Sequence, residues 1–519
     1  IPDCSVCRLL MRLYLRFVND LGGVIPALCQ GFWGCQGCAL SENSNKYFEY
    51  LNHFQYICGH KSYYAKIMAE FKRKIYQRLL EWKESEGKSA LLIEGARRIG
   101  KSTIVEIFAR NEYESYIIID FNKASEYVRQ AFQLYMEDLD SFFMVLSAAY
   151  NVKLKPRKSL IVFDEVQKFP KAREAVKYLV QDGRYDFIET GSLISIKENV
   201  KDISIPSEEE NIKMYPMDFE EFLWAMDEKQ LMEYIRMCFN RGLPLDDGLH
   251  HKAMMLFRQY MIVGGMPKCV ATYLESNRQF GDVEKEKRKI LTLYRNDIMK
   301  IDAMYRSRVI AIFDQIPSLL ARQDKRVVMR ELERGATYTV YEDTFFWLSD
   351  SMICNECFNC SDPNVGLSLN EERTFIKCYM GDTGLLLSHT FNENELADGE
   401  LFRELLFKKL SINEGMFFEN AVLQQITAAG HRAFFYTHYN KDKHRNDIEI
   451  EFVISNKSKV NHKVFPIEVK SKDRYSLTSL ERFAEKFHDR IGSCYVVHPK
   501  NYRKEGNTIF LPAYMAGLV

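Results

Sequence analysis

The sequence contains no stretch of about 18 consecutive apolar residues, the length that a membrane-spanning helix requires. We therefore expect no membrane partner. An excess of either charge is also absent, since 71 Lys and Arg residues balance 71 Asp and Glu residues. Neither glycine, with 26 residues, nor proline, with 13, is abundant in a chain of 519. These absences exclude a collagen-like chain, a disordered tail protein and a strongly basic histone-like binder.

The composition that remains is typical of a globular protein, with 46% hydrophobic and 27% charged residues. A chain of this length predicts two to four domains, at ~150 residues each. The overall neutrality hides a local bias, because residues 401–519 carry 19 Lys and Arg residues against 13 Asp and Glu residues. This surplus mildly favours a surface that faces nucleic acid.

Cysteine is unevenly distributed. Six of the 13 cysteines lie in the first 58 residues, and the scatter of the others favours a reduced, cytoplasmic protein. Two C-x₂-C pairs, Cys4 with Cys7 and Cys35 with Cys38, could hold zinc as a ribbon. The alternative, which we favour, is that residues 1–67 are upstream sequence and that Met68 is the true start. A mass measurement of the native protein separates the two.

From residue 89 onward, apolar strands alternate with helices. Strands are predicted at 89–94, 116–120, 160–163 and 187–190, with helices at 102–110, 123–150 and 171–182 between them. This alternation predicts an α/β fold in which helices cover both faces of a parallel sheet.

After residue 200, the pattern of predicted helices and strands changes. Residues 200–300 are mostly helical, and 301–350 contain three helical stretches that fit a winged-helix unit or any other three-helix packing. From about 400, helices are predicted at 415–429 and 478–487, and strands at 433–437, 448–454, 464–470 and 493–497.

The strongest local motif is a phosphate-binding loop. Its sequence, Gly95-Ala96-Arg97-Arg98-Ile99-Gly100-Lys101-Ser102, fits G-x-x-x-x-G-K-[ST] and lies between a strand and a helix. The backbone N–H groups of such a loop, here extended to Thr103, point at a β-phosphate. We expect Lys101 to reach the β- and γ-phosphates as a catalytic residue and Ser102 to ligate a metal, so ATP and Mg²⁺ are the predicted ligands.

Two neighbouring strand ends add polar side chains. Asp164 and Glu165 follow the strand 160–163, where Asp164 would hold Mg²⁺ and Glu165 would orient or deprotonate the attacking water. Thr190 and Ser192 end the next strand and could sense the γ-phosphate, although Thr-Gly-Ser is also ordinary turn chemistry. Arg295 could act as an arginine finger, but a surface salt bridge is the favoured interpretation.

A second acidic constellation lies near the C-terminus. Glu449 and Glu451 alternate with apolar residues on one predicted strand, as Glu468 does with Lys470 on the next. Side by side, these carboxylates and a lysine could bind a metal and activate water for phosphodiester cleavage, with Glu419 completing the metal shell. The alternative is a half-exposed sheet whose polar face alternates charges.

Six further sequence segments follow one another along the chain: 214–223, 264–267, 294–298, 379–385, 418–420 and 466–471. Together with the phosphate loop they make residues 68–519 resemble the prokaryotic AAA-type P-loop ATPases that carry a C-terminal domain of unknown function. That resemblance implies an AAA-like ATPase domain over 68–225, a helical lid over 226–300, a winged-helix-like region over 301–395 and a restriction-endonuclease-like fold over 396–519. Residues 1–67 lie outside it.

The resemblance also implies residue roles. Lys101 and Ser102 take the phosphate-loop roles, and Asp164 and Glu165 the metal and water roles. Glu451, Glu468 and Lys470 fall on the D…ExK positions of the nuclease-like fold, but Glu451 stands where Asp is more usual. The sequence therefore predicts an ATPase whose nucleotide state gates a C-terminal module that binds DNA, another protein or a second copy of the chain. An ATP-regulated nuclease is the alternative.

Overall fold

The structure, a computed structural model, describes residues 71–519 except 86–87, 193–206, 333–335, 365, 392–403, 405–413, 441, 443, 456–462 and 473. These residues belong to one compact unit, Lys66–Val519. The paired C-x₂-C motifs and the predicted start at Met68 lie outside the described residues, so both interpretations of the N-terminal region stay predictions.

Five parallel strands form the first sheet, in the spatial order β2-β3-β4-β1-β5. Their bounds are β1 Ala90–Glu94, β2 Ser115–Asp120, β3 Ser159–Asp164, β4 Asp186–Gly191 and β5 Glu209–Lys213. β1 and β4 are buried along their whole length, as central parallel strands are. Because all five strands run the same way, the residues that follow β1, β3 and β4 meet at one edge.

Helices cover both faces of this sheet: α1 Ile75–Glu84, α2 Lys101–Glu112, α3 Glu126–Leu134, α4 Leu139–Tyr150 and α5 Pro170–Asp182. Leu91 packs in one hydrophobic core and Leu92 in a second, because alternate side chains of a strand point to opposite faces. The predicted α/β fold with a parallel sheet is thus confirmed. The helix predicted at 123–150 is two helices, since Asp138 caps α4 by accepting a hydrogen bond from the Ser141 N–H.

A helical region follows the first sheet. Its helices are α6 Phe219–Ala225, α7 Lys229–Arg241, α8 Asp247–Val263, α9 Pro267–Glu275, α10 Phe280–Ile298, α11 Ala303–Ala321, α12 Met329–Leu332 and α13 Tyr338–Asp350. Proline suits the first position of α9 because its missing N–H would have no helical partner there. None of the helices in the described ranges is long and apolar enough to cross a membrane.

The second sheet has eight strands in the order β12-β13-β11-β10-β9-β8-β6-β7. Its strands are β6 Cys354–Cys360, β7 Glu371–Met380, β8 Phe434–Asn440, β9 Arg445–Ser455, β10 Val464–Val469, β11 Cys494–His498, β12 Arg503–Glu505 and β13 Thr508–Pro512. Three more helices complete the chain: α14 Thr383–Thr390, α15 Glu414–Ala428 and α16 Thr478–Lys486. β6 and β7 lie inside the predicted winged-helix range yet share this sheet, because β6 pairs in parallel with β8. The domain boundaries stay predictions.

A buried polar network joins the helical region to both sheets. Asp382, the N-cap of α14, accepts hydrogen bonds from the backbone N–H groups of Gly265 and Leu385. Gln424 donates to the Tyr260 hydroxyl over 2.8 Å and to Asp382 over 3.3 Å. Tyr260 in turn donates to the carbonyl of Met217 over 2.8 Å. Segments that the sequence marks as separate blocks therefore meet in one buried cluster.

Candidate nucleotide site

The phosphate loop turns through two left-handed residues. Arg98 has φ 70° and Gly100 has φ 94°, and Gly100 leads directly into α2. At Gly95, a Cβ atom would lie 2.5 Å from the carbonyl oxygen of Met214 and 2.4 Å from the Ile99 side chain. No larger residue fits there without movement of the backbone, and a non-glycine residue at φ 70° is a strained conformation of the kind found at functional sites.

Lys101 lies inside this loop and is 8% exposed. Its Nζ donates hydrogen bonds to the carbonyls of Gly95 over 2.8 Å and Ala96 over 2.9 Å. Burial lowers the pKa of Lys101 to about 8, against the opposing charges of Glu165 and Asp164. A buried ammonium in a ring of backbone groups, at the first turn of a helix, is suited to an anionic ligand.

Ser102, Asp164 and Thr190 form a connected group of oxygen atoms. The Ser102 hydroxyl donates to Oδ1 of Asp164 over 2.8 Å, and the Thr190 hydroxyl donates to the same oxygen. Hydroxyl and carboxylate oxygens are the ligands that Mg²⁺ prefers. The donor set present in this structure therefore fits a magnesium ion held by Ser102 and Asp164.

Glu165 follows β3 in a left-handed conformation, with φ 56°. Its carboxylate accepts a hydrogen bond of 2.6 Å from Nε2 of Gln167, and its backbone N–H lies 3.5 Å from the Thr190 hydroxyl. The carboxylate thus has a fixed position beside the phosphate loop. Gln167 was not predicted as a site residue from the sequence, although it lies two residues after a predicted catalytic acid.

These elements enclose a pocket of about 420 Å³. Its lining includes Lys101, Ser102, Thr103, Glu165 and Ser192, with the apolar side chains of Phe71, Ile104 and Pro267 beside them. Polar groups for phosphates and apolar surface for a ring system therefore share one cavity, as in other small-molecule sites. The sequence-predicted residues of the phosphate loop, the β3 end and the β4 end all lie at or next to it.

Arg73 binds the backbone of the phosphate loop. Its guanidinium donates to the carbonyls of Ile99 over 2.9 Å and Tyr215 over 2.7 Å, and it pairs with Glu221 at 3.1 Å. Arg73 was not predicted from the sequence, because it belongs to no local motif. The acid Glu221, inside the segment 214–223, was the signal that a buried cation lies nearby.

Arg295 lies in an ion pair with Asp314 at 2.6 Å, both partly exposed, with its guanidinium 5.8 Å from the ring centre of Phe313. That contact agrees with the salt-bridge interpretation. A different arginine, Arg97, lines the nucleotide pocket. Its Nη1 donates to both carboxylate oxygens of Asp297, each over 2.7 Å.

The structure also brings together Glu451, Glu468 and Lys470. Nζ of Lys470 lies 2.6 Å from Glu468 and 3.4 Å from Glu451. Burial and the charge of Glu451 raise the pKa of Glu468 well above its usual range. Burial alone would raise the pKa of Glu451 too, but the hydrogen bond from Glu468 and nearby lysine charges lower it. The pKa values of the two neighbouring acids are therefore shifted in opposite directions.

Glu419 has other partners. Its carboxylate is bound by Lys325 and by the hydroxyl of Tyr379. A third lysine, Lys377 on β7, is fully buried with Nζ 3.6 Å from Glu449. Across the parts of the chain that the structure describes, no three His, Cys, Asp or Glu side chains are placed to hold a metal ion. The predicted metal shell of Glu419, Glu451 and Glu468 therefore finds no support in the geometry.

Three ranges of the chain match known family models. Residues 87–223 match the model of an AAA domain. Residues 254–395 match a domain of unknown function, DUF8612, and residues 414–515 match another, DUF4143. No curated protein matches the chain.

Solved structures match the chain at low similarity. The Walker-type ATPase of Pyrococcus abyssi is 16% identical with a TM-score of 0.36, covering 62% of this chain and 96% of its own. Cdc6p of Pyrobaculum aerophilum is 10% identical with a TM-score of 0.28, covering 66% and 98%. The RuvB branch migration motor of Thermotoga maritima is 11% identical with a TM-score of 0.25, covering 55% and 89%.

The family match and the pocket agree in position, because the matched range 87–223 contains the phosphate loop, the β3 end and the β4 end. Residues 87–223 therefore form an AAA-type domain with an α/β P-loop fold.

Proposed function

We propose that the protein is a Mg²⁺-dependent ATPase whose nucleotide state gates its C-terminal region, a module that binds DNA or another protein. One observation carries the enzymatic part of this proposal. The side chains of Lys101, Ser102, Asp164 and Glu165 converge from a loop, a helix start and a strand end at one pocket. Each offers the chemistry that phosphoryl transfer to water needs at that place.

The roles of these residues follow from their contacts. The Lys101 ammonium, folded onto loop carbonyls, can turn to the β- and γ-phosphate oxygens. Ser102 and Asp164 would hold the metal, and Thr190 keeps the Asp164 carboxylate oriented. When bound, Mg²⁺ neutralises charge on the phosphates. Glu165, fixed by Gln167, is placed to accept a proton from the attacking water.

A path of contacts supports gating. Pro267 begins α9 at the wall of the nucleotide pocket. Two residues earlier, the Gly265 N–H donates to Asp382, and Gln424 of α15 donates to the same carboxylate. A shift of α9 on nucleotide binding would therefore act directly on the helix that packs under the second sheet.

DNA or protein is the partner class that the C-terminal region favours. Residues 401–519 have a surplus of basic residues, and helices α11 to α13 are followed by the antiparallel pair β6 and β7, an order compatible with a winged helix. The lysines around Glu419 and Glu451 satisfy the acids that a nuclease would use for metal, which favours the non-catalytic module.

The test is nucleotide binding and Mg²⁺-dependent ATP hydrolysis by the wild-type chain and by Lys101→Ala. Loss of the ammonium should weaken ATP binding at least tenfold and abolish hydrolysis. Lys285→Ala, at a lysine whose side chain is 74% exposed, is the matched control and should behave as wild type. Undiminished ATP affinity in Lys101→Ala would contradict the proposal.

The nuclease alternative has its own assay. Metal-dependent DNA cleavage is measured for the wild type and for Lys470→Ala. Cleavage by the wild type that disappears in Lys470→Ala supports a nuclease. Equal activity in both, or none in either, removes that alternative.

A further inference from the structure

A second, smaller pocket of about 160 Å³ adjoins the nucleotide pocket. Arg97, Glu165 and Ser192 line both pockets. The remaining wall of the smaller pocket comes partly from segments that follow strands of the first sheet, with Asn122, Gln167 and Lys168, and partly from the helical region. The helical region contributes the end of α10 and the residues after it, Tyr294, Asp297, Lys300 and Ile301. It also contributes Trp347 of α13 and, from the turn to β6, Ser351 and Ile353. The side of the nucleotide site that holds Glu165 therefore faces the helical region directly.

Arg97 connects the nucleotide pocket to the helical region. Its two hydrogen bonds to Asp297 both come from Nη1, which leaves Nε and Nη2 for a second acceptor. Burial alone would lower the pKa of Arg97, but the hydrogen bonds and charge of Asp297, together with the charge of Glu165, raise it. The guanidinium thus lies within electrostatic reach of both Asp297 and the predicted catalytic acid.

We propose that Arg97 exchanges Asp297 for the γ-phosphate of ATP, so that Asp297 is a positioning residue that holds Arg97 whenever no γ-phosphate is present. This inference rests on the proposed function. A γ-phosphate carries more negative charge than a carboxylate and offers a guanidinium several oxygen acceptors, so it competes well for Arg97. ADP lacks that group and leaves the pair with Asp297 in place.

After the exchange, the Asp297 carboxylate still has a cationic partner. Lys300 also binds Asp297, at 2.9 Å, and it remains when Arg97 leaves. The side chains of Arg97 and Asp297 are 39% and 20% exposed, so solvent weakens their attraction and the pair can open. A buried pair could not switch this readily.

The helical region senses the exchange through the last turn of α10. The buried Tyr294 donates to the backbone carbonyl of Arg97 over 3.3 Å, one turn before Asp297. Across the small pocket lie Trp347 and Ile353, next to the start of β6. The indole N–H of Trp347 has no hydrogen-bond partner in the described part of the chain. Release of Asp297 therefore changes the surroundings of Trp347 and the entry to the second sheet.

Tryptophan fluorescence of the full chain tests this. The sequence has four tryptophans, and subtraction of a Trp347→Phe variant isolates the signal of Trp347. In the wild type, a slowly hydrolysed ATP analogue should change the emission of Trp347, whereas ADP should not. Asp297→Asn should give the ATP-like emission without nucleotide, and should raise the affinity for the ATP analogue relative to ADP about two- to fivefold.

Three further variants complete the design. Asp297→Glu keeps the charge and should restore the ADP-specific signal. Arg97→Gln should show the same emission with either nucleotide. Asp314→Asn, which removes the neighbouring ion pair with Arg295, is the matched control and should respond as wild type.

The results separate this inference from the proposed function. If both nucleotides bind but give the same Trp347 emission in the wild type, or if Asp297→Asn keeps the wild-type difference, the exchange does not occur. If neither nucleotide binds the wild-type chain, the proposed function itself fails.

Discussion

The hydroxyl of Ser102 donates a hydrogen bond of 2.8 Å to Oδ1 of Asp164, a residue 62 positions further along the chain. Ser102 lies in the first turn of α2 and Asp164 ends β3, so this bond joins the phosphate loop to the acidic strand end. Because both groups offer oxygen ligands, this pair is where we expect Mg²⁺ to bind.

Replacement of that carboxylate should separate nucleotide binding from metal use. In Asp164→Asn, ATP should still bind without Mg²⁺, because the loop amides and Lys101 are intact. Hydrolysis should fall about 100-fold or more, and saturation should need more Mg²⁺. Hydrolysis measured over a Mg²⁺ titration checks this. Asp282→Asn, at an acid 52% exposed, is the control, and a wild-type Mg²⁺ dependence in Asp164→Asn would contradict the assignment.

Glu165→Gln should retain ATP binding and lose turnover. The amide keeps the shape of the side chain but accepts no proton, so kcat should fall by about 10²- to 10⁴-fold with little change in the Kd for ATP. Steady-state kinetics together with a binding titration measure both quantities. Glu106→Gln, at an exposed glutamate of α2, should leave both unchanged. A parallel loss of binding and turnover in Glu165→Gln would indicate a structural role instead.

The pKa of Lys101, about 8, predicts that nucleotide binding takes up a proton at alkaline pH. Phosphate charge favours the ammonium form, so Lys101 must be protonated on binding once the pH exceeds that pKa. Affinity should fall above pH 8, by at most about tenfold per pH unit, and stay constant with respect to Lys101 below it.

Calorimetry in two buffers of different ionisation enthalpy measures this uptake, which should approach about one proton at pH 9. Lys101→Arg keeps its charge at all these pH values and should take up none. Equal proton uptake by wild type and Lys101→Arg would assign the proton to another group.

Lys377→Met should destabilise the second sheet. Burial alone would lower the pKa of Lys377, but the charges of Glu419 and Glu449 raise it and keep the ammonium charged. Its removal leaves the buried carboxylate of Glu419 with less compensation, whereas Glu449 is 41% exposed and screened by solvent, so the free energy of unfolding should fall by about 1–3 kcal/mol. Urea denaturation measures this cost. Lys289→Met, at a lysine 66% exposed, should cost little, and an equally small effect of Lys377→Met would show that the cluster tolerates its loss.

The nucleotide site was largely predictable because its signals are local. The phosphate loop is eight consecutive residues, and Asp164 and Glu165 directly follow an apolar strand. The contacts that position these residues could not be predicted, because they join distant parts of the sequence. Arg73 and Tyr215 are 142 residues apart, and Arg97 and Asp297 are 200 residues apart. A pair brought together by tertiary folding leaves no spacing in the sequence.

Two of the missed strands share one physical cause. β5 and β12 are partly or wholly exposed, with the sequences Glu-Glu-Asn-Ile-Lys and Arg-Lys-Glu, and so lack the apolar pattern on which strand prediction depends. The C-terminal acids were predicted from their alternation with apolar residues. Lys470, which binds Glu451 and Glu468, belongs to the same pattern. Lys325 and Lys377, which contact Glu419 and Glu449, come from the preceding region, and no local spacing indicates them.

The pairing of β6 with β8 decides where this chain can be cut. Asn359 of β6 accepts a hydrogen bond of 2.9 Å from the Thr437 N–H of β8, so a cut at residue 395 would divide a hydrogen-bonded sheet. A fragment that begins there would present β8 as a bare edge, which invites intermolecular pairing and aggregation. A soluble C-terminal fragment should instead begin before Cys354, taking β6 and β7 with it.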